Sequence, residues 1–96
     1  MEFTKEDRTE IYLKAINKWG STAQLEMAQE EATELALAVR KFVRDPSNIR
    51  INELADEIAD VQIMIEQMET MMPNLNKIIS ERKKYKLTRL ENRLIE

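Results

Sequence analysis

Apolar residues recur along this chain at intervals of three and four, in four blocks separated by the few residues that break helices. The first block runs from about Lys5 to Trp19 and offers Ile11 or Tyr12, Ala15 or Ile16, and Trp19 as an apolar face. Thr4 stands where an N-cap is needed, with Asp7 at the third helical position, and Gly20 ends the block. The second runs from Ser21 or Thr22 to Arg44 on Leu25, Ala28, Ala32, Leu35, Val39 and Phe42. Arg40, Lys41 and Arg44 gather near its end, where cations suit the helix dipole. Asp45-Pro46-Ser47 then breaks the chain. The third block opens between Ser47 and Asn52, continues to about Met72, and has the most regular seam: Ile51, Leu54, Ile58, Val61, Ile65, Met68 and Met72. Pro73 divides it from a fourth, about Asn74 to Leu94, on Leu75, Ile78 or Ile79, Leu87, Leu90 and Leu94. Long helices with short connections imply antiparallel neighbours, so the pattern predicts an all-α bundle of about four helices.

Length and composition fit that picture and narrow the chemistry. Ninety-six residues make a single domain, 1–96, and one Gly with two Pro leaves few places to break a helix. A chain this short keeps much of its surface wet, which makes self-association a natural remedy. Hydrophobic residues at 43% and charged residues at 34% are a globular balance. With no Cys and no His, thiol and imidazole chemistry is excluded, as are the usual zinc ligands. The absence of Cys suits a reducing cytoplasm. The opening Met1-Glu2-Phe3-Thr4-Lys5-Glu6 does not read as a signal peptide. No run approaches the ~20 apolar residues of a membrane span, so no membrane partner is expected. A net charge of −3 weighs against general nucleic-acid binding.

The chemistry that remains is carboxylate chemistry. At ~100° per residue, Gln24, Met27, Glu31, Glu34 and Ala38 form a stripe about a quarter-turn from the core stripe of the second helix. On the third helix the equivalent stripe holds Glu53, Glu57, Asp60, Met64 and Met71, with Asp56 further round. If the two helices pack antiparallel through their apolar seams, the pairs Glu31/Glu34 and Glu57/Asp60 face a common space. Carboxylates so placed repel one another unless a cation neutralises them. Mg²⁺, an oxygen-seeking octahedral ion, is the natural candidate. The plainer alternative is that these charges are the solvated edge of an apolar seam. Against it, neither pair has a basic partner at i±4 within its own helix.

These residues also resemble a known family. Trp19-Gly20, Gln24, Glu30-Glu31-x-x-Glu34-Leu35 and Asp56-Glu57-x-x-Asp60-Val61 are similar to the MazG-like all-α nucleoside triphosphate pyrophosphohydrolases, over roughly residues 19 to 93. Their signature is a Glu-x-x-Glu pair on one helix and a Glu-x-x-Asp pair on the next. Glu53-x-x-Asp56 is a competing second pair, but Asp60 is the one followed by Val as in the family. The resemblance implies a MazG-like bundle, homodimeric or homotetrameric. It implies hydrolysis of a (d)NTP to (d)NMP and pyrophosphate with Mg²⁺, or Mn²⁺ as a substitute, on Glu31, Glu34, Glu57 and Asp60. Glu34 or Glu30 is the expected proton acceptor. It further implies a basic stretch on the last helix for the phosphates, with Lys86 and Arg89 as counterparts and Lys83 and Lys84 as competitors.

Other residues divide between roles. Trp19 and Gln24 could hold a base by stacking and amide hydrogen bonds. A core aromatic closing the first helix is the favoured reading of Trp19. Met64 and Met71, with Ile63 on the far side of the same helix, suggest core or an interface between copies. Two other functions remain open: a non-enzymatic dimeric helical interaction module, and a small nucleic-acid-binding dimer using the basic fourth helix. Tyr85 is the only aromatic within that helix, which is poor equipment for single-strand stacking.

Overall fold

The computed structural model describes residues 2–96, as four helices in chain order: α1 (Lys5–Trp19), α2 (Ser21–Arg44), α3 (Asn48–Met71) and α4 (Leu75–Ile95). The protein is all-α, and the boundaries fall within a residue or two of those the periodicity predicts. Local chemistry sets them. The Asp7 N–H donates to Thr4 Oγ1 at 3.0 Å while the Thr4 N–H donates to Asp7 Oδ2 at 2.9 Å, a reciprocal box that satisfies two otherwise orphaned donors. Gly20 has φ 91° and ψ 154°, a conformation essentially confined to glycine, and it alone joins α1 to α2. Its N–H closes α1 on the Ile16 carbonyl at 2.8 Å. Ser47 caps α3 by accepting from the Arg50 N–H at 3.4 Å.

The helices form a bundle of unequal tightness. α2 and α3 make an antiparallel hairpin with the most extensive contact in the molecule; α1 crosses both, and α4 touches only α3. The hairpin closes through only part of the apolar seams expected from the sequence: Ala28, Leu35 and Phe42 on α2 and Leu54, Val61 and Met68 on α3 are shielded. On α2 the shielded positions are Gln24, Ala28, Glu31, Leu35, Ala38 and Phe42. Facing them on α3 are positions such as Leu54, Glu57, Val61, Met64 and Met68. The contact line is thus rotated toward the carboxylate stripe. Ala28 and Ala38 on that line let the two backbones approach. Half of the predicted seam is turned outward as a result. Among the described residues only Tyr12, Gln24, Ala38, Met64 and Gln67 are buried.

α1 is held by a clamp that the hydrophobic pattern does not announce. Tyr12 is buried, and its hydroxyl donates to Glu66 Oε1 at 2.5 Å. Arg8 donates to both Glu66 oxygens, from Nε at 2.9 Å and from Nη2 at 3.3 Å. Tyr12 and Arg8 together hold the Glu66 carboxyl below its ordinary pKa, Tyr12 making the larger contribution. Burial, then Glu66, pushes the Tyr12 phenol up to about 12, so it stays a donor at any physiological pH. Among the described residues no helix is long and apolar enough to cross a membrane.

Candidate metal centre

The rotated contact line brings acidic side chains into the middle of the α2–α3 hairpin. Glu31 of α2 and Glu57 and Asp60 of α3 each place a carboxylate oxygen so that all three lie within 4.8 Å of one another. Glu31 and Glu57 are half-buried and Asp60 is exposed, so the cluster opens to solvent on one side. Three of the four acids picked out by spacing therefore converge. Glu34 stands outside this group, one turn along α2, where it raises the Glu57 pKa by its charge. It lines a small cavity of about 110 Å³ with Leu37, Ala38, Lys41, Glu53 and Glu57.

The electrostatics record an unneutralised cluster. Burial, then the charge and close approach of Asp60, then Glu57 and Glu30 raise the Glu31 pKa above the usual carboxylate value. Burial, then Asp60, Glu34 and Asp56 raise that of Glu57. Both shifts have the sign expected of carboxylates crowded by like charge. The Glu57 Oε2 atom is buried without a hydrogen-bond donor. A carboxylate oxygen in that position is costly unless a proton or a cation reaches it. Oxygen donors from two helices, one of them unpartnered, fit a hard divalent cation better than a soft one. Glu31, Glu57 and Asp60 are the residues that could hold it, with Glu34 beside them.

Two acids that competed on spacing are settled by their neighbours. Glu53 accepts from Arg50 Nη1 at 2.8 Å, and Arg50 also approaches Asp45 at 3.6 Å. Glu53 is thereby neutralised, whereas among the described residues no ion pair involves Glu31, Glu34, Glu57 or Asp60. Asp56 acts on Glu57 only as a nearby charge.

The positive charge beside the cluster comes from an unexpected helix. Lys41 of α2 draws the Glu57 pKa back down and lines the cavity with it. Lys41 stands seven residues after Glu34, hence on the same helix face, besides lying where a cation suits the α2 dipole. Lys86 and Arg89 stand exposed on α4, which touches only α3, and among the described residues neither forms an ion pair. Within one chain the basic stretch is thus not joined to the acidic pair of α2.

Gln24 is buried on the contact line of α2, and Gln67 is buried on α3, its Nε2 directed at Met64 Sδ at 3.8 Å and its Oε1 unpartnered. Trp19 is not a core aromatic: it is 59% exposed, with the Lys18 ammonium 5.3 Å from its ring centre. Seven residues beyond Tyr12, Trp19 shares its helix face but stands at the very end of α1, beside the Gly20 turn. Comparison of the chain with family models, with curated proteins and with solved structures finds no match.

Proposed function

We propose that the chain is a Mg²⁺-dependent nucleoside triphosphate pyrophosphohydrolase. The observation that carries this reading is the convergence of Glu31, Glu57 and Asp60 oxygens within 4.8 Å across two helices, beside a buried Glu57 oxygen that no donor reaches. The paired spacing Glu31-x-x-Glu34 and Glu57-x-x-Asp60, which resembles the MazG-like enzymes, supports the reaction class. In this reading Glu31, Glu57 and Asp60 hold the cation. A bound cation would supply charge neutralisation for the phosphates and acidify water. In the overall reaction a water oxygen bonds to the α-phosphorus as the bond from the α-phosphorus to the α–β bridging oxygen breaks and pyrophosphate leaves. Glu34, close to the cluster and without an ion-pair partner, takes the water proton. Lys41 offers the nearest positive charge for a phosphate oxygen, and buried Gln24 lies further along the same stripe of α2. Lys86 and Arg89 join the site only where α4 of another copy brings them.

Product analysis tests the proposal. Each NTP and dNTP is incubated with the protein and Mg²⁺, and the nucleotide products are resolved. The expected outcome is monophosphate and pyrophosphate, lost with EDTA and reduced by about a hundredfold or more in a Glu31→Gln, Asp60→Asn variant. Folded protein that turns over no nucleotide overturns it. The non-enzymatic interaction module is then favoured, because α4 has no buried residue and the molecule shows extensive apolar surface.

A further inference from the structure

Charge in this chain is sorted by helix. Seven of its fifteen Lys and Arg residues lie in α4, but only two of its eighteen Asp and Glu residues, Glu81 and Glu91. α4 therefore carries +5 and the remainder of the chain −8, which together give the net −3. The cations are sorted within the helix as well. Arg82, Lys86, Arg89 and Arg93 follow one another at spacings of four, three and four. At ~100° and ~1.5 Å per residue they form a single stripe ~16 Å long. Leu87, Leu90 and Leu94 form a second stripe, about 100° round the helix from the first. Glu81 and Glu91 both lie off the cation stripe, by about 100° or more.

Neither stripe is used within the molecule. α4 touches only α3, where Leu75 and Ile79 at its start meet Ile65, Met68 and Met72. From Ser80 onward every residue is exposed. Leu87, Leu90 and Leu94 stand 51% to 78% exposed, and among the described residues no ion pair involves the four cations. The far part of α4 is an arm, and the radius of gyration is accordingly 16.2 Å, against ~12.5 Å for a compact domain of this length. A leucine stripe flanked by cations on long flexible stems is the equipment of a helix that lies in a bilayer interface. Such a helix needs no run of spanning length, and among the described residues no helix has one.

We propose that the second half of α4 docks on an anionic phospholipid surface, its leucines entering the acyl boundary and its four-cation stripe resting among the headgroup phosphates. Charge complementarity selects the occupant. Each Lys or Arg brought to an anionic leaflet raises affinity by about fivefold, and four of them share one line here. The rest of the chain, at −8, is repelled by the same surface, so the molecule approaches through α4. The leucines select a bilayer over a nucleic acid. A phosphate backbone offers nothing to an apolar stripe, and Tyr85 is the only aromatic in the helix on which a base could stack. Docking of this kind needs neither the carboxylate cluster nor a nucleotide.

The test is co-sedimentation of the full chain with vesicles of phosphatidylcholine and phosphatidylserine in equal parts, against vesicles of phosphatidylcholine alone. The expected result is binding to the mixed vesicles only, weakening as salt is raised. Arg82→Gln with Arg93→Gln is expected to weaken it by about twentyfold or more. Lys14→Gln with Lys18→Gln, the same change in net charge placed on α1, is expected to alter it by less than about twofold. Leu90→Ser with Leu94→Ser is expected to weaken it by about tenfold or more while keeping the salt dependence. All six side chains are exposed, so circular dichroism should show each variant as helical as wild type. A wild-type chain that ignores the mixed vesicles, or that binds phosphatidylcholine alone equally well, overturns the proposal. So does binding that the arginine substitutions do not weaken. Binding that the leucine substitutions leave unchanged overturns it in favour of a polyanion such as nucleic acid.

Discussion

Tyr12→Phe isolates the clamp that fixes α1 on the hairpin. The ring remains and fills the same buried position, so the perturbation is the loss of one hydroxyl that donates to Glu66 at 2.5 Å. A hydrogen bond to a charged group contributes ~1.5–3 kcal/mol when both partners are buried. The Glu66 side chain is 39% exposed, and water replaces part of the lost donor. The expected cost is therefore about 1 kcal/mol. For a domain of this size that corresponds to a fall in Tm of ~4–8 °C at fixed chain concentration. The loss also carries a pH signature. Glu66 has its pKa lowered in the folded chain, chiefly by Tyr12, so its contribution is present above the ordinary carboxylate range and is lost as pH falls through the depressed value. Urea unfolding followed by far-UV circular dichroism at pH 7 and pH 3 measures both. The difference between wild type and Tyr12→Phe should be clear at pH 7 and shrink at pH 3. Equal stability at pH 7, or a difference that grows in acid, refutes the clamp as the anchor of α1.

Two more expectations concern the metal centre and the helix junction. Mg²⁺ at ten times its Kd should stabilise the fold by ~1.4 kcal/mol and raise Tm by several degrees. The raised pKa values of Glu31 and Glu57 mean that ionisation opposes folding as pH rises through them, so this thermal shift should be largest near neutral pH and fade in acid. Without Mg²⁺, Glu57→Gln should melt no lower than wild type and should then ignore added Mg²⁺; an undiminished shift in that variant rules out the site. At the α1–α2 junction, Gly20→Ala meets no atom within 4 Å but must hold a φ of 91°, so only backbone strain acts, at ~1–3 kcal/mol. A thermal melt that matches wild type counts against a fixed junction.

The helices were legible in the chain before any packing was known, and so were the acidic residues that the structure brings together. Spacing of three and four, Thr4 with Asp7, Gly20, Ser47 and Pro73 set four elements nearly to the residue, because caps and breakers act within one turn of chain. Spacing along each helix also singled out Glu31, Glu57 and Asp60, since residues three apart share a face whatever surrounds them. What a helix wheel does not contain is the rotation of one helix against another. That rotation belongs to the tertiary packing: small Ala28 and Ala38 lie on the contact line, which sits nearer the acids than the apolar seam does. It converged three carboxylates rather than four, set Lys41 instead of α4 beside them, and left Trp19 in solvent. Each of these outcomes depends on atoms far apart in the chain, whose free energies of burial are fixed only once the helices have chosen their neighbours.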